Sequence, residues 1–104
     1  PMKGQQAEVT DDVCRIALPR ILDIPAAADL RETVLEVVEP EMTVTIQSDA
    51  VEQVTTPGIQ MLMAVAAFVE RRKARFTVTK PSDELIDGFS ELGLFPQLMA
   101  WNVE

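Results

Sequence analysis

Histidine and tyrosine are absent from this 104-residue sequence, and cysteine occurs once, at Cys14. Without imidazole there is no His general base and no Cys–His pair, and a lone thiol makes no zinc cluster, so His- or Cys-based hydrolase chemistry and Cys/His zinc chemistry have no residues to carry them. A single cysteine also excludes an internal disulfide. Cys14 sits in an apolar-alternating stretch and reads as a buried thiol behaving as a small hydrophobe, which fits a reducing, cytoplasmic setting. Glycine is sparse, at 4 residues, and none falls in a Gly-rich phosphate loop, while the carboxylates are scattered over helix surfaces instead of being paired at a pocket. The expectation is a protein with no catalytic residues, no metal and no cofactor.

Positive charge is also in short supply. Nine Lys and Arg stand against 17 Asp and Glu, for a net charge of −8. Such a chain repels a phosphate backbone, so nucleic acid is not an expected partner. The one basic cluster, Arg71, Arg72, Lys73 and Arg75, falls near the end of an expected helix, where cations complement the helix dipole. No apolar run reaches the roughly 18 residues that a membrane span requires, and no secretory leader pattern opens the chain. Pro1 before Met2 is read as a tag remnant, so residues 1–11 are set aside as a remnant followed by a weak stretch in which Ala7 to Thr10 could add an edge strand. Residues 12–104 are expected to form one domain.

What remains is 47% hydrophobic and strongly periodic. Cys14, Ile16 and Leu18 alternate with Val13, Arg15 and Ala17 as a strand with one buried face. Ala27, Leu30, Val34, Val37 and Val38 recur at helical spacing between Pro25 and Pro40. Met42, Val44 and Ile46 alternate with Thr43, Thr45 and Gln47, and Phe76 and Val78 alternate with Thr77 and Thr79, giving two more strands that each have a threonine face. Strands covered on both sides would read as unbroken Val/Ile/Leu runs, so helices are expected mainly on one face, in a two-layer α/β domain. The segment from Pro57 to Lys73 reads as an apolar central helix whose Leu62, Val65 and Phe68 form the core. Another helix runs from about Ser82, its N-cap, to Leu92, and Gly93 stops it. The apolar tail Leu94 to Trp101 fits an edge strand, a short packed helix or an oligomer contact, and a homodimer is compatible with it.

The turn Val54-Thr55-Thr56-Pro57-Gly58 feeds the central helix. Thr56 fits the N-cap, with Pro57 at the first helical position and the Thr56 hydroxyl accepting from the N–H of Gly58 or Ile59.

The order of elements, together with Leu22-Asp23 before Ala26-Ala27-Ala28 and Leu30, Thr56 and Gly58 in the turn, and Leu92-Gly93-Leu94-Phe95 near the end, resembles the STAS family over about residues 12–101. Leu18-Pro19-Arg20-Ile21-Leu22-Asp23, Gln60, Leu62, Ala64 and Pro81-Ser82-Asp83 look most similar to short stand-alone members that accompany bacterial chemotaxis kinases. The resemblance implies a mixed four- to five-stranded sheet and a non-enzymatic regulator of the anti-sigma factor antagonist kind. It implies a protein kinase or other signalling protein as partner, and a phosphosite at Thr56, with Thr55 second. The implied partner surface is Asp23, Thr55, Thr56 and Gly58. At two positions where the family carries acids this chain has Thr55 and Gln47. A constitutive subunit of a lipid-transport ATPase complex is the alternative role.

Overall fold

The computed structural model describes residues 7–101; the tag-remnant reading of Pro1 and Met2 lies outside them. The elements run β1 (Ala7–Thr10), β2 (Val13–Ala17), β3 (Ile21–Leu22), α1 (Ile24–Val37), β4 (Thr43–Gln47), β5 (Gln53–Val54), α2 (Thr56–Arg71), β6 (Arg75–Thr79), α3 (Asp83–Glu91) and α4 (Phe95–Met99). β1, β2, β4 and β6 lie side by side in that order. β1 is antiparallel to β2 and the other pairs are parallel, so the sheet is mixed. β3 and β5 make a separate parallel pair.

Alternation along the strands decides which residues meet the helices. Cys14, Val44 and Phe76 form one cross-strand row, and Ile16, Ile46 and Val78 form the next. All six are buried. α1 and α2 pack on one another above this face, α1 through Ala27, Leu30 and Val34, and α2 through Ile59, Leu62, Val65, Ala66 and Val69. The buried Thr33 on α1 satisfies its hydroxyl by donating to the carbonyl of Asp29 at 3.0 Å.

Two details of the central helix differ from the sequence expectation. Phe68 is only half-buried, lying beside the core with the Arg72 guanidinium 5.8 Å from its ring centre. The buried stripe of α2 keeps helical phase from Ile59 through Leu62 and Val65 or Ala66 to Val69, and Phe68 falls one residue off that stripe. The helix also has a solvent side, made by Gln60, Ala64 and Ala67, because small alanines add apolar character to the sequence without needing burial.

The helix ends follow the local chemistry. Ser82 caps α3 by accepting from the N–H of Leu85 at 3.1 Å. Gly93, at φ 73°, ends it in the left-handed region while the N–H of Leu94 reaches back to the carbonyl of Phe89 at 2.8 Å, the six-to-one closure typical of a glycine-terminated helix. The tail takes the short-helix option, with Leu98 and Trp101 buried. Trp101 stands edge-on to Phe76 and Phe89, with ring centres 5.1 and 5.6 Å away, so one indole ties the tail to β6 and α3. Its carbonyl also accepts from the N–H of Val78 at 3.3 Å.

Candidate functional site

β3 and β5 are two residues each, and both lead directly into helices. Leu22 is in register with Val54. The next residues along the two strands, Asp23 and Thr55, are the N-caps of α1 and α2. Asp23 accepts from the N–H of Ala26 through Oδ1 at 3.0 Å. Thr55 accepts from the N–H of Gly58 through Oγ1 at 3.0 Å and donates to the carbonyl of Leu22 at 3.4 Å. The backbone N–H of Thr55 also donates to that Leu22 carbonyl, at 3.0 Å.

The cap of α2 is therefore Thr55 and not Thr56, a correction of one residue. Both threonines are eligible, and Pro57 points to Thr56 because proline favours the first helical position. Pro57 instead occupies the second, where its missing N–H is equally unneeded, since the intrahelical ladder begins further on. Thr56 is left as the first residue of α2, exposed, and its hydroxyl has no hydrogen bond among the described residues.

Gly58 has a different task from its neighbours. A Cβ built on it would stand 2.4 Å from the Leu22 carbonyl oxygen and 3.0 Å from the Asp23 Cα. The absence of a side chain lets the first turn of α2 lie directly on the β3–α1 corner. This brings Asp23, Thr55, Thr56 and Gly58 together, as the sequence groups them.

The sequence reading omits the apolar rim. Ile21 and Ile24, the residues flanking Leu22-Asp23, are 46% and 50% exposed although both are large and β-branched. Beside them the exposed Arg20 and Glu52 pair at 3.1 Å. The signal for the rim is the Ile-Leu-Asp-Ile run itself: two-residue pairing buries Leu22 and leaves both isoleucines outside. The result is a corner of two isoleucines, a hydroxyl and one ion pair. Apolar atoms ringed by polar groups are the usual composition of a protein-contact surface. Among the described residues no group of three or more His, Cys, Asp or Glu is placed to hold a metal.

The fold agrees with the comparisons. The family model described as "Mlab, STAS domain" matches residues 6–96. The chain belongs to the STAS family. Its structure is similar to that of the anti-sigma factor antagonist SpoIIAA in its unphosphorylated form, with a TM-score of 0.69, 19% identity, and coverage of 89% of this chain and 84% of that one. It is also similar to a sulfate transporter family protein from Wolinella succinogenes, with a TM-score of 0.64, 21% identity, and coverage of 88% and 74%. No curated protein matches the sequence.

Proposed function

We propose that this STAS domain is a non-enzymatic signalling regulator that binds a protein kinase of the chemotaxis or anti-sigma type through the Asp23–Thr55–Thr56 corner, which the buried Gly58 shapes from beneath, and that phosphorylation of Thr56 switches the contact. The observation that carries the reading is the Thr56 side chain, exposed at the start of α2 and relieved of capping by Thr55. A kinase reaches that hydroxyl without unfolding a helix end. A phosphate there adds roughly −1.5 to −2 charge at pH 7, turning the exposed start of α2 anionic.

A second reading, the constitutive subunit of a lipid-transport ATPase complex, is favoured by the hydrogen bonding of the same turn. The N–H of Gly58 is taken by the Thr55 hydroxyl and that of Ile59 by the Thr55 carbonyl, and Pro57 has none. A phosphate on Thr56 would find little in the first turn to hold it, whereas unmodified docking needs no such support.

One experiment separates them. The purified chain is incubated with candidate chemotaxis and anti-sigma kinases from the same organism and ATP, phosphate is mapped by mass spectrometry, and kinase binding is measured for the parent, its phosphorylated form, Thr56→Ala and Ile24→Ser. The switch reading expects phosphate on Thr56 and a changed affinity when it is present. It is lost if neither Thr56 nor Thr55 is modified and both variants bind as the parent does. Unmodified binding to an ATPase subunit that Ile24→Ser weakens would establish the second role.

A further inference from the structure

The sheet has a second face that no helix covers among the described residues. The side chains opposite the core rows point there: Arg15, Thr45 and Thr77 form one registered row, with Arg75 and Gln47 on the rows to either side. Lys80 follows the last strand at its rim. Together they border a shallow depression of about 480 Å³.

The chemistry of this face is that of a donor surface. Thr77 and Thr45 join hydroxyl to hydroxyl at 3.0 Å, which uses one of their two protons and leaves the other for an outside acceptor. Arg15, Arg75 and Lys80 are exposed, and their side chains have no hydrogen bond or ion pair among the described residues. One carboxylate, that of Glu8, lies opposite Arg15 in the β1–β2 register. In a chain of net charge −8, this face is locally cationic.

We propose that the open face of the sheet docks an acidic segment of a partner protein, whose carboxylates meet Arg15, Arg75 and Lys80. Ordinary strand spacing puts the Cα atoms of Arg15 and Arg75, two strands and two residues apart, about 12 Å from each other. That spread suits an extended chain carrying several carboxylates. A second copy packed face to face would set the three cations against their own counterparts. A short segment meets only the local field, because screening at physiological salt confines it to about 8 Å. The inference is independent of the Thr56 corner.

The test is a titration of ¹⁵N-labelled protein with a synthetic decapeptide of alternating Glu and Gly. Parallel arms use inorganic phosphate, phosphatidylglycerol vesicles and duplex DNA, and the variants are Arg15→Gln/Arg75→Gln and Lys80→Gln. All three positions are solvent-exposed, so both variants should melt like the parent, and Lys80→Gln alone keeps the test alive if the double variant does not fold. The peptide should shift the amides of Arg15, Thr45 and Thr77, bind several-fold more weakly to each variant, and be displaced by salt of roughly 0.5 M, where screening is nearly complete. The proposal fails if millimolar peptide shifts nothing on this face or if the variants bind it unchanged. It fails equally if phosphate alone gives the same shifts at lower concentration, or if vesicles or DNA engage these residues while the peptide does not.

Discussion

Asp23 and Thr55 occupy matching positions: each follows one member of the registered pair Leu22–Val54, and each accepts a hydrogen bond from the backbone N–H three residues on, in the helix it starts. Two helices thus begin side by side from neighbouring parallel strands, and the accessible hydroxyl of Thr56 follows from this register.

Thr55→Ala removes the acceptor for the Gly58 N–H and should cost about 0.5–2 kcal/mol, the usual loss for a missing N-cap. Thr56→Ala deletes an exposed group with no described bond and should stay within about 0.5 kcal/mol of the parent. Urea unfolding of both decides the assignment, and the opposite order would return the cap to Thr56.

Gly58→Ala should destabilise, although alanine is the better helix former by roughly 1 kcal/mol. The new methyl would meet the Leu22 carbonyl oxygen at 2.4 Å, and relief requires α2 to lift off the corner, with overpacking of this kind costing about 1–3 kcal/mol. Amide shifts centred on Leu22, Asp23 and Thr55 would accompany the loss. A variant as stable as the parent, with those amides unmoved, would show the corner to be looser than described.

Phe89→Ala should cost about 3–5 kcal/mol, because a fully buried ring that also packs edge-on against Trp101 leaves a cavity behind. Phe68→Ala should cost clearly less, since that ring is half in solvent. Equal losses in denaturant unfolding would place Phe68 in the core after all.

Burial pushes the Cys14 thiol above its ordinary pKa by desolvation. The unfolded chain then releases this proton at a lower pH than the folded one. Stability should fall as pH rises past the unfolded thiol value of about 8.5, and this loss should be absent in Cys14→Val. Thiol reagents should label Cys14 only as fast as the chain opens. Rapid labelling of the folded protein would contradict its burial.

The parts of the fold that could be read from the sequence are those where a period is long enough to count. Cys14 with Ile16 and Val44 with Ile46 announce strands, their threonine neighbours announce an open face, and Ser82-Asp83-Glu84 announces a helix start. β3 and β5 are too short for any period, so the pairing that builds the corner is invisible until the chain is folded. Thr55 and Thr56 are chemically equivalent as caps, and only the position of the Leu22 carbonyl tells them apart. Phe68 and Phe89 look alike on helical spacing. Contact with Trp101, from a tail whose form the sequence leaves open, puts Phe89 inside.

The bond from the Val78 N–H to the Trp101 carbonyl also bears on self-assembly. The four-stranded sheet ends in β1 on one side and β6 on the other, and exposed strand margins are where chains stack into fibres. On β6 the Val78 donor is already spent within the molecule, whereas β1 faces outward with all four residues exposed. Strand-to-strand stacking from one molecule to the next needs two receptive margins per copy. With the Val78 donor engaged, β6 is the less receptive of the two margins, and any strand addition is expected to begin at β1.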